Sequence, residues 1–204
     1  MCKGKIKQLN LCVDSGLIMC RKSTLATACL AAVLSCGVSP VVAEDFNVSL
    51  EVQHYFTGTI AALQLERWLS NQHAVHGRLG LQRIRHEDFG EHDDERGDGF
   101  GFSLGYRYYL SSERIGWSAG FRTDLWWNSL DWTDNINQPD ERTGHTDVTV
   151  LQPTIEAGYL YPLNNNFYIT PTIAYGFEIN IDTDGEDTGE GPILLLGVQL
   201  GRRF

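Results

Sequence analysis

From Phe46 to Phe204 apolar and polar residues alternate with a period of two, in segments of about ten residues divided by turn-forming stretches. Phe46, Val48, Leu50 and Val52 interleave with Asn47, Ser49, Glu51 and Gln53. Trp117, Ala119, Phe121, Thr123, Leu125 and Trp127 interleave with Ser118, Gly120, Arg122 and Asp124. Leu194, Leu196, Val198 and Leu200 interleave with Leu195, Gly197, Gln199 and Gly201. Eight segments follow this rule, which predicts eight strands. The second, "TIAALQLERWL", also fits a helical period and is the most ambiguous. Pro153 and Pro171 fall inside strands, each at the cost of a ladder hydrogen bond.

The connections alternate in kind. "SNQ", "SSERIG" and "PLNNN" are short, whereas "HEDFGEHDDERGDG", "TDNINQPDERTGHTD" and "EDTGEGP" with its flanks are long and acidic. Only the first, around Thr57-Gly58, is tight where a long one is expected. Long loops at one end and short turns at the other suit an up-and-down antiparallel barrel crossing a membrane.

Residues 1–43 read differently. Arg21 and Lys22 precede an apolar stretch from Leu25 to Ser35, and Val41 and Ala43 occupy the −3 and −1 positions of a cleavage site. The expectation is a signal peptide over 1–43, with translation starting at Met19, cleavage after Ala43 and a barrel domain over 44–204. "VLSC" makes Cys36 an alternative lipidation site. All five cysteines precede Ala43, so the exported part holds neither a disulfide nor a thiolate metal site.

Residues 44–204 carry 11 Arg, no Lys and 25 acidic residues, a net charge of −14. Such a chain is a poor partner for nucleic acid. The charges within the strands belong to the polar face: Glu51, Glu66, Arg78, Arg107, Arg122, Asp124, Glu156, Glu178 and Arg203. If that face lines the lumen of a narrow barrel, these residues must pair with one another and plug it. Arginine suits the task because its planar fork engages carboxylates bidentately. Aromatic residues collect at strand ends. Tyr108, Trp117, Tyr161 and Phe167 lie near the short turns, and Trp127 and Trp132 near the long loops, as expected for rings at the two membrane interfaces. From Trp117 to Trp127 a tilted strand rises about 25 Å, the height of an apolar band.

With its export signal, eight amphipathic strands, cysteine-free barrel and final Phe204 in phase with apolar residues, the chain resembles the small outer-membrane β-barrels: the OmpA transmembrane domain, OmpX and the opacity-type proteins. The resemblance rests on pattern over residues 44–204. It implies an all-β, eight-stranded transmembrane barrel in a Gram-negative outer membrane, in contact with lipid and lipopolysaccharide. It also implies that Phe204 acts as the signal for the barrel-assembly machinery, although Arg202 stands where an apolar residue is usual.

The implied role is structural or surface-interacting, with a ligand surface on the acidic loops. Two alternatives stay open on sequence: a soluble periplasmic barrel of the lipocalin type around an apolar ligand, and a barrel enzyme that modifies lipid A. Neither a cofactor nor a metal site is expected, since "DTDGEDTGE" has glycine at the fourth position and not at the sixth, where a calcium loop needs it. Candidate histidines for catalysis are His54, His86, His92 and His145, with Ser129 and Asp131 or Asp147. Their spacing gives no reason to place a serine, a histidine and an acid on one surface, so no catalytic residues are expected.

Overall fold

The computed structural model describes residues 46–87 and 92–204. The signal-peptide reading, its cleavage after Ala43 and Cys36 lie outside them. Eight strands run in chain order: β1 (Phe46–Tyr55), β2 (Gly58–Trp68), β3 (His73–Glu87), β4 (Asp94–Tyr109), β5 (Gly116–Asp134), β6 (Arg142–Pro162), β7 (Phe167–Asp184) and β8 (Gly191–Arg203). Each pairs antiparallel with the next, and β8 returns to β1 to close a barrel. The closure joins Asn47–His54 to Leu196–Arg203 through eight consecutive pairs.

The ambiguous second segment is a strand. Ile60, Ala62, Gln64, Glu66 and Trp68 all point inward, and the segment pairs with both β1 and β3. A helix would have scattered these five residues over all its faces.

The apolar set of the alternation faces outward. Leu79 and Leu81 are each 68% exposed, and Phe100, Phe102, Leu104, Phe121, Ile155, Leu194 and Leu196 share that outer wall. An apolar belt of this extent is unsustainable in water and is what a bilayer requires. The inward set through the same zone is Glu51, Gln64, Arg78, Arg107, Arg122, Asp124 and Gln199, all buried. A lipocalin arrangement would have the two sets exchanged.

Towards the end formed by the long loops the chemistry inverts while the pleat does not. Along β5 the inward residues change from Arg122 and Asp124 to Trp126, Leu130 and Trp132, and the outward ones from Phe121 and Trp127 to Ser129 and Asp131. Ile84 on β3 and Val148 and Val150 on β6 join this apolar interior. Along β5 the interior is thus polar where the outer wall is apolar, and turns mainly apolar where the outer wall turns polar.

This inversion corrects two expectations. The loops of the acidic end are much shorter than the sequence suggests, because β3 to β7 continue as polar-faced ladders beyond the apolar belt. The β5–β6 connection is only residues 135–141, with Asn135 and Asn137 at positive φ (52° and 62°), a conformation their short polar side chains tolerate. Trp132, expected at the membrane interface, instead points inward. It is 6% exposed, stacks on His92 at 4.3 Å between ring centroids, and its Nε1–H donates to Thr146 Oγ1 at 3.2 Å.

Both strand prolines impair the same seam. Pro153 pairs with Thr123 on β5, and Pro171 with Val198 on β8. On the β6–β7 side no pair forms at Gln152–Pro153 or at Tyr159–Leu160, which faces Thr170–Pro171. A register shift between Thr149 and Val150 adds a third irregularity there.

Candidate functional site

The lumen is crossed by one alternating chain of charges. Arg107 bonds Glu66 at 3.0 Å and Glu156 at 2.7 Å. Arg122 then bonds Glu156 at 2.9 Å and Asp124 at 3.0 Å. Arg78 bonds Asp124 at 2.8 Å and ends on Glu51. Amide and hydroxyl groups satisfy the two ends: Asn47 and Tyr109 donate to Glu66, and Gln53, Gln199 and Thr172 donate to Glu51. Four carboxylates and three guanidinium groups, all buried, thus form a single lattice contributed by β1 to β6. Arg78 and Arg107 each reach acids two strands away on either side, which a narrow lumen allows, whereas Arg122 bonds acids on its own strand and the next.

Seven of the nine charges read from the polar face meet here. The other two do not. Glu178 lines a cavity beyond the lattice, on the side of the long loops, and Arg203 lies at the opposite rim, donating to the Arg114 carbonyl at 2.8 Å with its guanidinium over Tyr168. His76, whose inward phase on β3 two residues from Arg78 marks it as a lumen residue, is buried beside Glu156 at 3.8 Å.

Aromatic rings bound the lattice on both sides. Trp68, Tyr109, Leu160 and Tyr168 pack together towards the short turns. On the other side lies Trp126, for which glycines leave room. A Cβ at Gly80 would stand 2.9 Å from the indole Cη2, and one at Gly101 2.8 Å from Cδ2. Past Trp126 opens a cavity of about 690 Å³ lined by Tyr55, Gln82, Ile84, Leu130, Val148 and Glu178 among others.

The outward rings fall at two levels. Tyr108, Trp117, Tyr161 and Phe167 surround the short-turn end, where Trp117 meets Tyr159 edge-on at 5.2 Å. Trp127 lies on the outer wall towards the other end and stacks on Phe100 at 5.3 Å. Arg202 lays its guanidinium over Phe167 and Phe204 at 5.9 and 4.7 Å, which keeps its stem on the apolar surface, and the Phe204 N–H bonds the Phe46 carbonyl at 3.0 Å.

A second cluster contradicts the expectation that serine, histidine and acid stay apart. The β5–β6 register sets Asp131 opposite His145 and Ser129 opposite Asp147. All four side chains point outward, just beyond the apolar belt. His145 Nδ1 lies 2.8 Å from Asp131 Oδ1, its Nε2 lies 3.2 Å from Ser129 Oγ, and Asp147 Oδ1 is 3.4 Å from that same Nε2. The hydrogen bond that His145 donates to Asp131, with Asp147 beside it, raises the His145 pKa above its ordinary value. Nothing in the spacing of 16 residues reveals this meeting. It depends on where the hairpin turns, and the turn at 135–141 brings 129 and 131 level with 147 and 145.

Nearer the tip of that hairpin, Asp134 receives His92 and Arg142, each at 3.0 Å, and against some desolvation both depress its pKa. His92, Asp134 and Glu186 hold potential ligand atoms close together. Arg142 reaches both acids, Asp134 at 3.0 Å and Glu186 at 3.7 Å, and offsets one of their two charges.

No family model matches the chain, and no curated protein matches it in sequence. Solved structures do match in shape. A major outer membrane protein from Thermus thermophilus aligns at 16% identity over 78% of this chain and 98% of its own, with a TM-score of 0.50. Neisserial surface protein A aligns at 11% identity over 78% and 97%, with a TM-score of 0.48. The N-terminal β-barrel domain of Pseudomonas aeruginosa OprF aligns at 17% identity over 78% and 98%, with a TM-score of 0.42. The closed eight-stranded barrel, with its alignment to the Thermus protein, gives the chain the fold of a small outer-membrane β-barrel.

Proposed function

We propose that this protein is an outer-membrane barrel closed to ion flow, whose work is done on its outer surface and at its acidic rim. The observation that carries this reading is the lattice from Glu66 to Glu51, with the Trp68–Tyr109–Tyr168 cluster on one side and Trp126 on the other. Three guanidinium groups bonded to four carboxylates fill the lumen between the two sets of rings, which supports a closed path. The apolar outer wall supports a location in lipid. The polar ladders of β3 to β7 support an orientation with the long-loop end outside the cell, against lipopolysaccharide. The acidic character of that end favours a cationic partner, or an anionic one bridged by divalent cations, and disfavours nucleic acid.

Conductance in planar bilayers tests the closed lumen. The purified protein should give no steady channels, whereas long-lived open steps in most insertions would refute the reading. Fractionation tests the location: extraction that needs detergent, with heat-modifiable gel mobility, is expected, and recovery in the periplasmic wash would contradict it.

A further inference from the structure

We infer that Ser129, His145 and Asp131 form a nucleophilic site on the outer wall of the barrel that cleaves acyl esters of lipids in the adjoining leaflet. The hydrogen-bond order is that of an activated serine: acid to Nδ1, Nε2 to hydroxyl. Asp131 accepts from Nδ1–H, and Nε2 faces Ser129 Oγ with Asp147 Oδ1 at 3.4 Å, so the nitrogen becomes a base for Ser129 once the imidazolium loses its proton. Asp131 is thus a positioning residue, and Ser129 and His145 are the reacting ones.

The surroundings select the substrate class. Across the sheet, Leu81, Phe100 and Trp127 form one outward row, and Arg83, Asp98, Ser129 and Asp147 form the next. A groove of about 510 Å³ contains Leu81, Phe100, Trp127, Ser129 and Asp147 together. Its apolar floor belongs to the lipid-facing belt, and its polar end holds Ser129 among Asp98, Asp147, Asp182 and Asp184. A chain lying in the bilayer against Phe100 and Trp127 would therefore carry its ester to Ser129, at the depth where acyl chain gives way to headgroup. A soluble ester would find no matching apolar surface except in this groove. Arg83, two strands along the row from Ser129, is held by Asp98 at 3.1 Å and takes no part in the site.

The chemistry closes with water as the only co-reactant. Ser129 Oγ bonds to the ester carbonyl carbon while its proton passes to His145 Nε2. The tetrahedral intermediate collapses, the bond from carbon to the alcohol oxygen breaks, and His145 returns the proton to that oxygen. Water then adds to the acyl-serine carbonyl with His145 as base, the bond to Oγ breaks, and Oγ recovers a proton. An ester and a water become a fatty acid and an alcohol.

The site rests on the membrane placement proposed above, so the test has one arm that needs no bilayer. In detergent micelles, a fluorophosphonate probe should label the wild-type protein, and the labelled peptide should contain Ser129. Ser129→Ala should abolish the label, and His145→Ala should slow it by about 100-fold or more, the scale of a lost general base. In the second arm the protein is reconstituted in phospholipid vesicles, or in vesicles containing lipopolysaccharide, and released fatty acid is measured by mass spectrometry. Release from either, lost in Ser129→Ala, supports the site, and which vesicle supplies it identifies the lipid.

Rate against pH should rise through a His145 midpoint above 6.5, because the hydrogen bond to Asp131 and the charge of Asp147 favour the imidazolium. Asp131→Asn should lower that midpoint as well as the rate, whereas loss of structure alone would leave the midpoint in place. Arg96, opposite Asp131 on β4, is held by Asp94 at 2.9 Å and is present in both proteins. Heat-modifiable mobility verifies that each variant is folded. Labelling of Ser129 that is as fast in His145→Ala as in wild type, no labelling at all, or no fatty acid from either vesicle overturns the proposal.

Discussion

Arg78 at one end of the lumen lattice, like Arg107 at the other, is a link whose loss leaves a terminal acid without any cation, Glu51 in the one case and Glu66 in the other. Each arginine of the lattice bridges two acids, but the acids differ in what else they hold. Without Arg122, Asp124 keeps Arg78 at 2.8 Å and Glu156 keeps Arg107 at 2.7 Å. Without Arg78, Asp124 keeps Arg122, but Glu51 is left with Gln53, Gln199 and Thr172 and no cation. A buried carboxylate stripped of its partner costs about 3–5 kcal/mol. Arg78→Met should fall at the upper end of that range and Arg122→Met at the lower end. With a urea dependence of about 2 kcal/mol per molar, Arg78→Met should lower the unfolding midpoint by roughly 2 M. Glu51→Gln added to Arg78→Met removes the stranded charge and should recover most of the loss. The assay is urea unfolding of barrel reconstituted in lipid vesicles, followed by tryptophan fluorescence and by heat-modifiable mobility. An Arg78→Met midpoint equal to wild type would refute the reasoning, and so would a double variant no more stable than the single one.

Other outcomes follow from the same geometry. Trp126→Ala should cost about 3–5 kcal/mol, because the space kept by Gly80 and Gly101 cannot collapse when the ring is removed; a smaller loss in the same unfolding assay would place the ring outside the packed interior. In variants retaining a single tryptophan, brominated lipid should quench Trp117 and Trp127 and spare Trp132, whereas strong quenching of Trp132 would return it to the interface. Asp134 is held below the ordinary aspartate value of 3.8 by His92 and Arg142, so its tie to the rim is complete above that pH and is lost as pH falls below it. Protease cleavage between residues 135 and 141 should therefore accelerate only under acid conditions, and Asp134→Asn should show the acid-level rate already at neutral pH.

The fold was legible because a barrel wall in lipid obeys one rule over its whole circumference, and the period-two alternation from Phe46 to Leu200 states that rule directly. Glu51, Arg78 and Arg122 were legible as lumen residues for the same reason. Trp132 was misread because its ring type was weighed more heavily than its phase. It sits in step with Asp124 and Trp126, both inward, and the polar Ser129 and Asp131 between them already mark the outer wall as wet. The ladders beyond the belt escaped notice because a strand with polar residues on its outer face and mixed ones inside has the composition of a loop. The Ser129–His145 contact lay further out of reach. A turn placed one residue away would have sent His145 to the opposite side of the sheet.

The two interrupted places between β6 and β7 bear on how the wall could part. The seam where the chain's ends meet has unbroken pairing, so cyclic closure is not the weak line of this cylinder. Each proline instead leaves a facing carbonyl on the neighbouring strand without its donor, and a bilayer supplies no water to replace it. Backbone amides of Leu151–Leu160 and Thr170–Glu178 should exchange with solvent deuterium sooner than those of Asn47–His54. The cylinder is thus most easily unzipped along the β6–β7 line, two strands from the seam that joins its ends, and mechanical or thermal stress should open it there first.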